Sequence, residues 1–158
     1  MTQEEVGVQR VRAAVRDRAL YFALLYRAFA KTLTSVEVEH LAREAIYEYG
    51  RLKGQMDAKP MTPESWVDCH VSSGSAALFE SRVTKGEQQS EILMTYCPLM
   101  EAWKQLGCSP KEIDILCDIA MEVDRGRADY HRIPYQTAAR MARGDPFCRL
   151  VLMKPEGA

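Results

Sequence analysis

The sequence predicts an α+β fold: a long N-terminal helical hairpin, then a β-β-α-α-β-β unit forming a four-stranded antiparallel sheet packed with helices. Two observations predict it. Apolar residues recur every three or four positions through most of residues 1–72, and beyond that the period falls to about two in two pairs of short segments separated by helical stretches. The 158 residues suffice for one domain with its own core. We read 1–72 as its helical part and 73–158 as a sheet-and-helix part carrying the cysteine motifs.

The first helix is expected from about Glu4 to Leu33, because Val8, Val11, Val15, Ala19, Phe22, Tyr26, Phe29 and Leu33 fall on one helical face. Thr34-Ser35-Val36-Glu37 reads as a capping box. It launches a second helix whose stripe runs Val38, Leu41, Ala45, Tyr49, Leu52 and Met56. Lys59-Pro60 breaks that helix, Thr62-Pro63-Glu64 opens a shorter third one, and Ser72-Ser73-Gly74-Ser75 ends it. Leu78–Lys85 and Gln88–Tyr96 alternate around a turn at Lys85-Gly86-Glu87 and read as a strand hairpin. A short helix is expected from Cys97-Pro98 through Leu106. Ser109-Pro110-Lys111-Glu112 reads as a second capping box, opening a helix to about Tyr130. Tyr135–Ala142 and Phe147–Met153 form the second hairpin, around Arg143-Gly144-Asp145-Pro146. The helices should lie on one sheet face, and the long first helices should cover the other or pack on a second copy.

Charge narrows the partners. With 21 Lys+Arg against 22 Asp+Glu, nothing draws the chain to nucleic acid or to an anionic membrane. A small molecule is the expected partner, with a homo-oligomer formed through the N-terminal helices. No segment approaches the roughly 20 apolar residues of a membrane span, and the first residues lack the apolar centre of a secretory signal. A cytoplasmic location is expected, where the five cysteines stay reduced. They form no C-x-x-C pair and no finger-like spacing with histidine, so neither a metal nor another cofactor is expected.

Cys97 stands where a strand gives way to a helix, and there the free amides and helix dipole favour a thiolate, making it the best nucleophile candidate. Cys117 lies mid-helix, and Cys148 starts the last strand on the face of Leu150 and Leu152. Each could equally be a small apolar filler. Asp118, Asp124 and Arg125 share one helix, with His131 just past its end; a solvated surface is the plain alternative for all of them. Gly126 is notable, since glycine within a helix costs about 1 kcal/mol against alanine and marks close approach of another group. Asp68 and His70 flank Cys69 and could supply a base.

Tyr96-Cys97-Pro98-Leu99-Met100-Glu101-Ala102-Trp103, Leu116-Cys117, Asp124-Arg125-Gly126 and Gly144-Asp145-Pro146-Phe147-Cys148, in that order, resemble the signature of the L-2-amino-thiazoline-4-carboxylic acid hydrolase family over Phe79 to Leu152. The resemblance implies hydrolysis at a carbon–nitrogen bond of a small cyclic amidine, opening a thiazoline ring to an N-carbamoyl amino acid. The matched positions are Cys97, Cys117, Asp124, Gly144, Asp145 and Cys148; Cys69, His70 and Cys108 match no motif. On this reading Cys97 is the nucleophile, with Asp124 or His131 as acid–base group. Cys117, Asp118, Arg125, Asp145 and Cys148 would bind substrate. Competing readings are a metal held by Cys97, Cys117 and Cys148, a small-molecule-binding or sensory module without turnover, and an assembly factor that leaves a wide apolar stripe exposed on its first two helices. The catalytic reading requires the three thiols to meet at one cavity beside a titratable group.

Overall fold

The structure, a computed structural model, describes residues 2–157. Helix α1 (Gln3–Phe29) is followed by α2 (Ser35–Met56), α3 (Pro63–Ser72) and the single turn α4 (Ser75–Leu78). Strands β1 (Ser81–Thr84) and β2 (Gln89–Met94) come next, then helices α5 (Pro98–Gln105), α6 (Pro110–Ala120) and α7 (Glu122–Tyr130). Strand β3 (Tyr135–Ala139), a 3-10 turn at Met141–Arg143 and β4 (Cys148–Met153) complete the fold. The expected sheet forms, four-stranded and antiparallel throughout, in the order β1-β2-β4-β3. The two hairpins join where β2 meets β4, which pairs Met94 with Cys148 and Ile92 with Leu150.

Capping follows the sequence closely at α2, where the Glu37 amide donates to the Thr34 hydroxyl and the Glu37 carboxylate accepts from the Thr34 amide at 2.8 Å. Such a cap contributes about 1 kcal/mol. At α6 only half of the expected box forms. The Glu112 amide donates to Ser109, but the Glu112 carboxylate turns away to receive Arg27 of α1 at 2.6 and 2.9 Å, because a bidentate guanidinium is the stronger donor.

Two expectations need correction. The helix expected to run unbroken to Tyr130 bends at Met121, which closes α6 and opens α7. The bend lays α7 along α2. The expected N-terminal hairpin of α1 and α2 is a splayed one. The two helices touch sparingly, since α1 is drawn onto α5 and α2 onto α7. The indole of buried Trp103 donates to the Ala19 carbonyl at 3.0 Å, and the fully buried Ala19 and Ala23 let the α5 side chains reach the α1 backbone. Secondly, the long helices do not cover the second face of the sheet. That face carries Glu91 and Arg149, paired at 2.6 and 2.8 Å, as suits a solvent-facing surface. The inner face buries Ile92, Met94, Cys148, Leu150 and Leu152 against Trp66 and Val67 of α3 and Ala128 of α7.

The crossing of α2 and α7 is unusually close, and glycine is the reason. A Cβ on Gly126 would lie 2.1 Å from the Tyr47 carbonyl oxygen, and one on Gly50 would lie 2.2 Å from that of Val123. Gly54 takes the Tyr130 ring in the same way, at 2.7 Å. The glycine singled out in Asp124-Arg125-Gly126 is thus a packing residue that brings two backbones together.

Candidate active site

A cavity of about 300 Å³ lies between the sheet's inner face and the helices. Cys97, Cys117 and Cys148 all line it, together with Asp124. Each arrives from a different element. Cys97 caps α5, with Pro98 fixing the first helical position. Cys117 projects from the last turn of α6 and Cys148 from the first residue of β4. Asp124 comes from the first turn of α7, held in place by the glycine crossing with α2.

The Gly144-Asp145-x-x-Cys148 run explains itself locally. Gly144 takes φ +97° to close the 3-10 turn. The Asp145 carboxylate accepts from the Arg140 amide at 2.7 Å, and the Cys148 sulfur accepts from the next amide, Met141, at 3.4 Å. Asp145 therefore shapes the turn that aims Cys148, and it is not among the residues of the cavity wall.

Burial overrides the helix dipole at the thiols. Desolvation pushes Cys97 up to about 11, although the amides of Leu99 and Met100 favour its anion. Cys117 is pushed up to about 12 by burial and by its sulfur neighbours Cys97 and Cys148, and burial raises Cys148 as well. Burial thus favours a protonated thiol at Cys97 over the thiolate that its place at a helix start predicts. Cys97 is the half-buried member of the trio, whereas Cys117 and Cys148 are buried. The electrostatic coupling among the three places them as neighbours. Even so, no group of three or more His, Cys, Asp or Glu among the described residues is arranged to hold a metal ion, so the metal alternative gains no support from the donor geometry.

Asp124 is raised by burial, against the pull of Lys53, Arg127 and Arg125. The sign of the resulting pH dependence is as follows. Below the ordinary value of 3.8 the carboxyl is protonated in both folded and unfolded chains and contributes no difference. Above it the unfolded chain releases a proton that the folded chain retains, so stability falls with rising pH until the folded carboxyl also ionises. Asp124→Asn should therefore melt at a higher temperature than the parent at pH 7, with the gain vanishing near pH 3. Scanning calorimetry at both pH values checks this. An unchanged or lower melting temperature at pH 7 would mean that the carboxylate is well solvated.

Other expected site residues lie elsewhere. His131 does not line the cavity. Its Nδ1 accepts the Met61 amide at 3.2 Å and its Nε2 faces Asp57 at 2.8 Å, so both ring nitrogens are used in holding the loop after α2. Asp118 and Arg125 pair with one another at 2.9 Å. Asp118 also receives Arg43 at 2.8 Å and Arg140 at 2.5 Å, and these contacts hold it down to about 2 despite partial burial. Both belong to an ion-pair network outside the cavity wall, because a carboxylate flanked by three guanidinium groups is better satisfied there than facing a small ligand. Cys108 accepts from Arg27 at 3.3 Å and packs in the core formed by α1, α5 and α6.

The cavity also uses residues that no motif singled out. Cys69 and His70 of α3 line it, as do Arg18, Lys53, Trp66 and Arg127. His70 faces Ser81 at 2.9 Å, and burial lowers its pKa. Arg127 lies over the Trp66 ring at 4.8 Å, is bidentate to Asp57 at 2.8 and 2.5 Å, and reaches the Cys69 sulfur at 3.8 Å. One signal in the sequence did point here. Gly50 and Gly54, four apart within a helix, mark a close helix contact, and they bracket Lys53.

Among curated proteins nothing matches the chain. The family model for L-2-amino-thiazoline-4-carboxylic acid hydrolase matches residues 12–152, so the likeness extends well before Phe79 and takes in α1, α2 and α3 as well as the cysteine motifs. The helices that contribute Arg18, Lys53 and His70 to the cavity wall are thus part of the family pattern. This chain belongs to the L-2-amino-thiazoline-4-carboxylic acid hydrolase family, enzymes that act on a carbon–nitrogen bond of a cyclic amidine.

Proposed function

We propose that the cavity binds a small cyclic amidine of the 2-amino-thiazoline-4-carboxylate type and opens its ring by attack of Cys97, with Asp124 carrying the proton. The single observation behind this reading is the convergence of Cys97, Cys117, Cys148 and Asp124 on one hollow from four separate elements. A purely structural cysteine set has no need of a half-buried carboxyl, without a hydrogen-bond partner among the described residues, beside it.

In the first step the positively charged amidine offsets the desolvation that keeps Cys97 protonated, and Asp124 takes the thiol proton. The sulfur bonds to the carbon between the ring nitrogen and the ring sulfur. The carbon–nitrogen bond then breaks, and Asp124 returns its proton to the leaving nitrogen. Water adds to the same carbon and expels the Cys97 thiol. One water is consumed and the enzyme is regenerated. Breaking that bond leaves the carbamoyl group on sulfur, since the carbon stays attached there, and not on nitrogen as expected from the resemblance. Cys117 and Cys148 shape the wall around the reacting carbon. Mass spectrometry of the product of 2-amino-thiazoline-4-carboxylate tests the reading: an S-carbamoyl amino acid is expected, and failure to consume this compound or any related cyclic amidine or lactam favours a binding module.

The five cysteines are all free, which supports a reducing, cytoplasmic setting, and no described helix is long and apolar enough to cross a membrane. A second copy of the chain is the proposed occupant of the α1–α2 surface. There an apolar groove of about 390 Å³ opens between the helices, walled by residues such as Phe22, Leu25, Phe29, Leu41 and Ile46. Leu25→Glu should convert the assembly to a monomer in sedimentation equilibrium, and a parent protein that is already monomeric at high concentration contradicts the pairing.

A further inference from the structure

Three cations line the cavity: Arg18, Lys53 and Arg127. They are not equivalent. Arg127 is committed, since its guanidinium is bidentate to Asp57 and stacked on Trp66. Arg18 is exposed, so water competes fully for its charge. Lys53 is half-buried and forms no ion pair among the described residues; its Nζ lies 5.4 Å from the centre of the Tyr49 ring. Its nearest acid in the cavity is Asp124, whose charge it favours without reaching it. A partly desolvated ammonium with no anionic partner, in a wall otherwise mostly aromatic and aliphatic, has an unfilled requirement for an anion.

Resting on the reading given above, we infer that Lys53 receives the carboxylate of the substrate and makes the cavity selective for cyclic amidines that bear an acid group. It is a specificity residue, distinct from the thiols that meet the reacting carbon. Its position carries a second consequence. The groups facing Asp124 are Lys53 from α2, Arg125 and Arg127 from its own helix, and Tyr135 from β3. A carboxylate bound at Lys53 neutralises one of those cations, so binding of the acid raises the proton affinity of Asp124. Asp124 thereby becomes a stronger base for the Cys97 thiol proton when the correct substrate arrives.

The test uses binding probes that cannot ring-open, 2-aminothiazole-4-carboxylate and 2-aminothiazole, titrated calorimetrically into the full chain. The acid should bind at least about tenfold more tightly than its parent ring. Lys53→Met should remove that preference, Lys53→Arg should retain much of it, and Arg18→Met should leave it unchanged. Binding of the acid to the parent protein should also take up protons in buffers of different ionisation enthalpy, and less so in Lys53→Met. Equal binding of the two probes by the parent, or an undiminished preference in a folded Lys53→Met, overturns the inference. Loss of the preference in Arg18→Met would move the anchor to that residue and overturn it equally. Lys53→Arg shows whether loss in Lys53→Met is one of charge or of fold. Selective binding of the acid together with no turnover of the thiazoline would overturn the catalytic reading and leave the anchor standing.

Discussion

Cys97→Ser should lose ring-opening activity by at least about a thousand-fold in kcat/KM, while its melting temperature stays near that of the parent. The loss follows from the chemistry. A serine hydroxyl at the start of α5 keeps the volume and the amide contacts of Leu99 and Met100, but it is far less nucleophilic than sulfur, and a carboxylate such as Asp124 is too weak a base to draw off its less acidic proton. The fold should hardly notice, because the packing at this position changes little. Steady-state kinetics beside a thermal melt separates the two effects. Cys148→Ser provides the comparison. It removes a thiol that accepts the Met141 amide and packs in the inner sheet layer, so its effect should be mainly on stability, with activity falling much less per folded molecule. If Cys148→Ser is inactive and Cys97→Ser is not, the roles of the two sulfurs are exchanged.

Gly126→Ala should be among the most destabilising single-methyl additions in this chain. Alanine gains about 1 kcal/mol of helix propensity over glycine, but the new Cβ would lie 2.1 Å from the Tyr47 oxygen and 3.0 Å from its carbon, both backbone atoms that cannot rotate away. Forcing α7 off α2 should leave a net loss of roughly 2–4 kcal/mol, or about 5–15 °C in melting temperature for a chain of this size. Gly7 is the matched control, since nothing lies within 4 Å of a Cβ built there; Gly7→Ala should be neutral or slightly stabilising. Activity should fall in Gly126→Ala even at low temperature, where the protein remains folded. The helix pair carries Lys53 on one side and Asp124 on the other, and separating them changes the cavity wall. A Gly126→Ala protein as stable as the parent would mean that the two helices do not cross where the structure puts them.

Local patterns in the sequence were enough for most of the fold. The Thr34 box, the change of period at the first hairpin and the Gly144-Asp145 turn are determined by neighbours a few residues apart, and each appears where the pattern put it. What escaped were long-range competitions. Glu112 could cap its own helix or bind Arg27 from 85 residues away, and nothing nearby decides between them. The second sheet face was expected to be covered because the helical stripes were long, yet Glu91 and Arg149 leave it polar and α2 spends its buried surface on α7.

The candidate site divides along the same line. Cys97, Cys117, Cys148 and Asp124 lie in motifs and line one cavity. Asp118, Arg125 and His131 have equally reactive side chains, but other charged groups satisfy them outside it. Partnering across the fold, which no spacing records, decides which acids and bases remain available. Lys53 is the converse case: an ordinary lysine of α2 that becomes notable only because no described residue forms an ion pair with it.

The most direct test of the account is to trap the enzyme during turnover. Full-chain protein mixed with 2-amino-thiazoline-4-carboxylate, quenched in acid within the first turnovers and digested, should yield a peptide carrying the substrate's mass on Cys97, absent from Cys97→Ser. Product formation with no adduct on that peptide in the wild-type chain, or with the adduct on Cys69 or Cys148, would contradict Cys97 as the attacking group.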